Sequence, residues 1–312
     1  MRIKTFYRAV VVLLFVVGMV SAQAPPKTGT SPVVKPATFN TPEEAANALV
    51  AAAEQFNAAD MTRIFGSEAN DIVFAGEPPY EVDLVKVFVE QARAKKTVSI
   101  DPQNKNRAVL LIGEEDWPFA LPIVKHGSLW SFDSAAGREE LLYRRIGGNE
   151  LDAIEICLGF VEAQQEYALE KHDGSPVNQY AQRIISSPGK QDGLAWQNGD
   201  GTWGGPIGEN AARAMDKGYT GGDPYHGYYF KVLKGQGKAA PLGEMDFVVK
   251  GTMIGGFALI AFPAEYRVTG VKTFMVSHDG VVYEKDLGPT TADQVRKIEL
   301  FNPDQSWNPV VP

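Results

Sequence analysis

The chain has 312 residues, of which 44% are hydrophobic and 22% are charged, and its formal net charge is −8. This length and apolar content suffice for a large core and favour two domains over one. The acidic balance, without a clustered stripe of lysine and arginine, argues against binding to nucleic acid or anionic lipid.

The first 22 residues have the pattern of a secretory signal peptide. Arg2, Lys4 and Arg8 form a basic leader, and residues 9–20 form an uncharged apolar run that ends in small residues. A membrane anchor is the alternative, but spanning a bilayer takes about 20 apolar residues and this run is shorter. We therefore predict cleavage, a net charge of −11 for the remaining chain, no membrane insertion afterwards, and a periplasmic or secreted location in a bacterium.

The region that follows is predicted to be a flexible lead-in and then an N-terminal α+β domain. Residues 23–39 are rich in Pro, Thr and Lys, which is typical of a flexible segment. In residues 40–146, Thr41 is expected to cap a first helix and Pro42 to occupy its first position. The segments "RAVLLIG", "FALPIVK" and "SLWSFD" predict an antiparallel meander. The helix order and "GSLWSFD" resemble the cone-shaped domains of the nuclear-transport-factor-2 superfamily.

A second α+β domain is predicted over residues 147–312. We expect Gly147–Gly148 to end one helix and Asn149 to cap the next. One face of the new helix is expected to lie against a sheet. Its apolar residues, three and four positions apart, are Leu151, Ile154, Leu158 and Val161.

Residues 174–224 are rich in Gly, Asp and Asn, and we interpret them as long ordered loops held by Trp196 and Trp203. Strands are predicted again in "HGYYFKVL", "MDFVVKG", "FALIAFP" and "KTFMVSHDGVVYEKDL". Asp279–Gly280 predicts a two-residue hairpin turn, which would pair His278 with Val281.

Several segments, including "SFDSAAGREELLYRRIGGNELDAI", "PYHGYYFKVL" and "MIGGFALIAFPAEY", resemble a bacterial exported family known as domain of unknown function 2950. That resemblance implies no activity. A long helix followed by "GYYFKV", "FALIAFPAEY" and "TFMVSHDGVV" also resembles the globular heads of type IV pilins and pseudopilins. No prepilin leader or apolar half-helix precedes this region, so the likeness implies the fold and not assembly into a pilus.

The candidate catalytic residues are His226, Tyr228, His278 and Asp279. In a strand over residues 226–233, His226 and Tyr228 share the face that points to the core, which favours a structural histidine. Acid–base catalysis would require a carboxylate and a cleft beside His226. If the strand ends lie together, His226 and His278 would flank one pocket with Asp279.

Aromatic residues among the polar turns are the candidate binding residues, namely Trp196, Trp203, Tyr225 and Tyr229. Another envelope protein or a polysaccharide would suit such a surface.

No cofactor and no metal site is predicted, because the four histidines lack ligand spacing. Cys157 has no histidine nearby in the sequence and is expected to be a buried hydrophobe. The sequence favours a non-enzymatic binding or interaction module of unknown function. The alternative is an exported hydrolase with a site around His226 and His278.

Overall fold

The protein is described by a computed structural model that covers residues 34–70, 78–219 and 223–311. The predicted signal peptide and most of the lead-in lie outside the described residues. The chain divides into two compact units, Met1–Arg144 and Arg145–Pro312, and each unit has its own hydrophobic core. Both units combine helices with largely antiparallel sheets, so the predicted α+β class is confirmed.

The first unit places helices against a meander of strands. Its described helices are α1 (Pro42–Glu54), α2 (Ala58–Phe65) and α3 (Pro78–Ala94), with a 3-10 turn at Ser67–Ala69. Its strands are β1 (Lys96–Ile100), β2 (Arg107–Ile112), β3 (Trp117–Pro118), β4 (Ile123–His126) and β5 (Leu129–Phe132). They form an antiparallel sheet in the order β1-β2-β4-β5, with β3 paired to β2.

The predicted helix cap and the predicted strands of this unit are present in the structure. The Thr41 hydroxyl accepts a hydrogen bond from the Glu44 backbone N–H at 3.1 Å, which caps α1. The predicted strands appear as β2, β4 and β5. Strand β1 is not among the predicted strands. It lies at the edge of the sheet, and its side chains are mostly exposed.

A single helix, α4 (Ser134–Tyr167), runs through Gly147–Gly148, so the predicted helix break and the cap at Asn149 are wrong. A Cβ at either glycine would meet nothing within 4 Å, so the backbone there is unconstrained by neighbours. The helix is held on both sides of the glycines by buried residues, such as Leu141 in the first core and Cys157 in the second. This tertiary packing outweighs the helix propensity lost at two glycines.

The buried face of α4 in the second unit also differs from the prediction. Leu151 and Leu158 are 66% and 43% exposed. The residues that are buried are Ala153, Cys157, Phe160, Val161, Ala163, Gln164 and Tyr167. The Phe160 ring meets Phe257 edge-on at 5.7 Å. Burial of the large aromatic rings removes more apolar area from water than burial of the leucines would.

The second unit is centred on a five-stranded antiparallel sheet. Its strands are β9 (Tyr228–Leu233), β14 (Ala258–Pro263), β15 (Lys272–Ser277), β16 (Val282–Asp286) and β17 (Asn308–Pro309). Their order is β17-β16-β15-β14-β9, and every residue of β14 is buried. Two two-stranded ribbons flank it, formed by β10 (Gly235–Gln236) with β11 (Met245–Asp246) and by β12 (Val248–Val249) with β13 (Thr252–Met253). A short helix, α6 (Thr291–Lys297), lies near the end of the chain.

Residues 174–224 contain more regular structure than the predicted loops. A three-stranded sheet joins β6 (Arg183–Ile185), β7 (Gly193–Gln197) and β8 (Trp203–Gly204), with β6 parallel to β7. Helix α5 (Glu209–Tyr219) follows and buries Ala212 and Met215. The prediction missed this helix because it is short and bordered by glycine-rich sequence.

The hairpin between β15 and β16 is one residue out of the predicted register. Val276 pairs with Val282, and the Gly280 N–H donates to the Ser277 carbonyl at 2.9 Å. Gly280 has a φ of +76°, as in a three-residue loop made of a type I turn and a left-handed residue. The Asp279 carboxylate accepts hydrogen bonds from the Ser277 hydroxyl and the Val281 N–H, which favours this longer loop.

Within the described residues, no helix has both the length and the apolar character that crossing a bilayer requires.

Candidate functional site

His226 lies in a turn and not in a strand, so its predicted position is wrong. Tyr225 and Tyr228 exchange two backbone hydrogen bonds of 3.0 Å each, which closes a two-residue turn at His226–Gly227. The φ angles of His226 and Gly227 are +48° and +73°, the signs that a type I′ turn requires. The core-facing alternation therefore begins at Tyr228.

The His226 side chain is paired with a carboxylate that the sequence reasoning missed. Its Nδ1 atom lies 2.6 Å from Asp152 Oδ2, and the two side chains are 45% and 43% exposed. When Nδ1–H donates to this carboxylate, Nε2 is left as the acceptor. Asp152 is on α4, 74 positions earlier, so no local sequence signal would have revealed the pair.

The turn that carries His226 is packed closely on α4. A Cβ at Gly227 would lie 2.4 Å from Asn149 Nδ2, and the same Nδ2 donates to the Thr269 carbonyl at 2.8 Å. Glu150 accepts hydrogen bonds from the backbone N–H groups of Val271 and Lys272 at 2.9 and 3.0 Å. These contacts hold the His226–Asp152 pair in a defined place.

The structure separates His226 from His278. Tyr228 pairs with Pro263 at one end of β9 and β14, whereas Leu233 pairs with Ala258 at the other end. Ala258 also pairs with Ser277, the neighbour of His278. The two ends are five residues apart, about 16 Å at 3.3 Å per residue. The prediction that His226, His278 and Asp279 share one pocket is therefore wrong.

His278 is held among aromatic rings. Its ring meets Phe247 and Phe257 edge-on at 5.8 and 6.2 Å. Its Nδ1 atom is buried and has no hydrogen-bond partner among the described residues. These surroundings give His278 a packing role.

The candidate tyrosines differ in accessibility. Tyr228 is fully buried, and its hydroxyl donates to the Lys272 carbonyl at 2.8 Å. Burial, with a smaller effect from the Glu150 carboxylate, raises the pKa of Tyr228 above its ordinary value. Tyr225 and Tyr229 are half-buried and contact His226 and Phe262 edge-on. Tyr228 therefore stabilises the sheet, while Tyr225 borders the His226 turn.

A cavity of about 380 Å³ lies beside the C-terminal end of α4, and we call it the aromatic cavity. Its wall contains the rings of Tyr167, His172 and Trp196. The remaining lining residues are Glu166, Leu169, Glu170, Gly205 and Pro206. One of the predicted binding residues, Trp196, thus lines a concave site.

The rings of this cavity are fixed by hydrogen bonds. Tyr167 stacks on His172 with 3.8 Å between centroids, and Trp196 is tilted 5.5 Å from His172. The Tyr167 hydroxyl donates to the Gln191 carbonyl. His172 Nε2 lies 2.9 Å from the Tyr167 carbonyl, so Nε2 carries a proton and donates it. Burial raises the pKa of Tyr167, and the charges of Asp173 and Asp192 add to this effect.

Two carboxylates border the aromatic cavity. Glu166 and Glu170 are exposed, and neither side chain forms an ion pair or hydrogen bond within the part of the chain that the structure describes. A ligand that enters the cavity would meet the Trp196 side chain and two carboxylates available for hydrogen bonding.

Trp203 is covered on one face by an arginine. The Arg213 guanidinium lies 4.6 Å from the centre of the Trp203 ring, in cation–π geometry.

Gly205 approaches β7 so closely that a Cβ would lie 2.3 Å from the Leu194 carbonyl oxygen. This approach places Gly205 and Pro206 against Trp196 at the cavity wall.

The remaining chemistry of the described residues is limited. No group of three His, Cys, Asp or Glu side chains among them is arranged to hold a metal ion. Cys157 is fully buried, and burial raises the pKa of its thiol to about 12. Its thiol stays protonated and acts as a small apolar group.

A family model with the description "Protein of unknown function (DUF2950)" matches residues 36–310, which is most of the chain. No curated protein and no solved structure matches the chain.

Proposed function

We propose that this chain, which belongs to the DUF2950 family, is an exported, non-enzymatic binding protein of the bacterial envelope. Its ligand is a polysaccharide of the envelope, and the aromatic cavity is its binding site. Export is supported by the basic leader and apolar run of residues 1–22.

The observation that carries this proposal is a concave site lined by the half-buried Trp196 and by the exposed Glu166 and Glu170. An indole ring packs well on the apolar face of a sugar ring, and carboxylates accept hydrogen bonds from sugar hydroxyls. Small-molecule sites in proteins combine an apolar wall with a few polar groups in the same way.

The rigidity of the site supports the same conclusion. Tyr167 and His172 are 3% and 5% exposed, and each is held by at least one hydrogen bond. Rings that are already ordered lose little conformational entropy when a ligand binds. The Tyr167 and His172 rings of the cavity are therefore preorganised for ligand binding.

Cosedimentation of the purified chain with insoluble peptidoglycan tests the proposal. Wild-type protein should sediment with peptidoglycan, and Trp196→Ala or the double variant Glu166→Gln/Glu170→Gln should weaken binding about tenfold or more. Glu155→Gln is the matched control, because it removes an exposed carboxylate of the same helix about 16 Å away. Equal sedimentation of all variants would refute the site.

A hydrolase is the second candidate function, and the 2.6 Å contact between His226 and Asp152 favours it. A carboxylate on Nδ1 orients a histidine so that Nε2 can act as a general base. Under this alternative, the protein would release soluble fragments from peptidoglycan, and His226→Gln would abolish the release while the protein stays folded. No release by wild-type protein would exclude this activity on peptidoglycan.

The finer fold assignments also belong to the proposal. The helices and antiparallel meander of the first unit support a fold like that of nuclear transport factor 2. The long helix and antiparallel sheet of the second unit support a pilin-like fold.

A further inference from the structure

Another surface of α4 exposes leucine side chains to solvent. Leu151 and Leu158 are 66% and 43% exposed, and they lie seven residues apart, which places both on one side of the helix. Glu155, Gly159 and Glu162 are exposed on the same stretch. We call these five residues the leucine face.

The leucine face is unpartnered among the described residues. Leu151 and Leu158 are seven positions apart on one side of the helix, so both can contact the same partner helix. A Cβ at Gly159 would meet nothing within 4 Å, so packing within the chain does not require this glycine. Its lack of a side chain allows another backbone to approach the helix closely.

The negative charge of this helix favours a basic partner for the leucine face. Residues 146–170 contain six acidic residues and no lysine or arginine. Asp152 pairs with His226, and Glu150 binds the backbone at Val271. Glu155 and Glu162 form no ion pair within the described part of the chain, so their charges are available to a partner.

The same charges argue against a second copy of the chain as the partner. Two leucine faces in contact would bring acidic helices together, and like charges placed across an interface are unfavourable. A basic partner would relieve this repulsion and would pair with Glu155 and Glu162.

We propose that the leucine face docks a basic amphipathic helix of a partner protein. The apolar stripe of that helix packs on Leu151 and Leu158, and its lysines or arginines lie opposite Glu155 and Glu162. The face extends over about 17 Å of helix, from residue 151 to residue 162 at 1.5 Å per residue. This proposal is independent of the aromatic cavity, which lies further along the helix.

Fluorescence anisotropy with a labelled peptide tests the proposal. The probe has about 14 residues, roughly four helical turns of leucine and lysine in amphipathic order. The control peptide has the same composition in scrambled order. The purified chain should bind the amphipathic peptide at least about tenfold more tightly than the scrambled one, and added salt should weaken binding.

Substitutions within the leucine face test whether the peptide binds there. Leu151→Ser/Leu158→Ser and Glu155→Lys/Glu162→Lys should each weaken binding about tenfold. Leu242→Ser is the control, because Leu242 is 81% exposed elsewhere in the second unit. Circular dichroism should show that all variants keep the wild-type helix content, since the changed side chains are exposed.

Two results would overturn the proposal. If the wild-type chain binds both peptides with equal affinity, or if Leu151→Ser/Leu158→Ser binds the amphipathic peptide as tightly as wild type does, the binding is charge attraction without a docking face. Dimerisation of the wild-type chain in analytical ultracentrifugation, lost in Leu151→Ser/Leu158→Ser, would make a second copy the occupant.

Discussion

The Nδ1 atom of His226 lies 2.6 Å from the Oδ2 atom of Asp152 and links a hairpin turn to the long helix α4. Both side chains are nearly half exposed, and ion pairs at such positions contribute little to stability because water screens them. A double-mutant cycle with His226→Gln and Asp152→Asn should give a coupling free energy of about 0.2–1 kcal/mol. Urea unfolding measures it, and a coupling several times larger would show that the pair is a main support of the turn.

The contact beneath that turn leads to a second prediction. Gly227→Ala should destabilise the chain, because φ is +73° and the new Cβ would lie 2.4 Å from Asn149 Nδ2. Gly174→Ala is the matched control, since Gly174 has a φ of +69° and open space around it. We expect Gly227→Ala to lower the free energy of unfolding by about 1–3 kcal/mol more than Gly174→Ala does. Equal losses in urea unfolding would mean that the turn is not packed on α4.

Gly159→Ala should stabilise the chain. Gly159 is inside α4, and a Cβ there would have open space, so alanine gains about 0.5–1 kcal/mol of helix propensity. Gly137→Ala, in the same helix, should instead destabilise it, because its Cβ would lie 2.4 Å from Leu121 Cγ. Thermal and urea unfolding of both variants measure these changes in stability, which should have opposite signs. A loss of stability in Gly159→Ala would indicate that a neighbouring group covers the leucine face.

Burial of Cys157 predicts a loss of stability at alkaline pH. Its pKa is raised from 9.0 to about 12 in the folded chain. Above pH 9 the unfolded chain therefore releases a proton that the folded chain keeps. The free energy of unfolding then falls as pH rises from 9 towards 12, by at most about 1.4 kcal/mol per pH unit for this group. The pKa values of Tyr167 and Tyr228 are also raised from 10.0, so these two groups add to the loss of stability above pH 10.

Urea unfolding between pH 8 and 10 checks this prediction, with Cys157→Ala as the comparison. The variant should show a shallower decrease with pH, even if its stability at neutral pH is lower because a cavity has been created. Parallel curves for the two proteins would contradict the burial of an un-ionised thiol.

Local sequence signals predicted the parts of this fold that depend on neighbours in the chain. The hydroxyl of Thr41 caps α1 as expected, and the apolar runs around Phe230 and Ile260 form buried strands. These signals are reliable because caps and continuous apolar segments act over a few residues.

The failures arose where distant packing decides the outcome. Gly147–Gly148 stays helical because buried residues anchor α4 on both sides. Leu158 is exposed because Phe160, two positions on, is packed against Phe257. The His226–Asp152 pair joins residues 74 positions apart. None of these relationships has a signature within a short window of sequence.

The candidate site was predicted only in part. Trp196 is a predicted binding residue because aromatic residues among polar turns suit binding, and it lines the aromatic cavity. Its neighbours Tyr167 and His172 are not among the predicted residues. The stacking of these two rings depends on the turn over residues 168–170 that follows α4, which is not predicted from the sequence.

Isothermal titration calorimetry with soluble peptidoglycan fragments, followed by mass spectrometry of the recovered sugar, tests most directly whether the chain binds this sugar without cleaving it. We expect saturable binding to wild-type protein and to His226→Gln, at least about tenfold weaker binding to Trp196→Ala, and fragments that are recovered intact. Cleaved fragments, loss of turnover in His226→Gln, or unchanged binding in Trp196→Ala would contradict non-catalytic binding at the aromatic cavity.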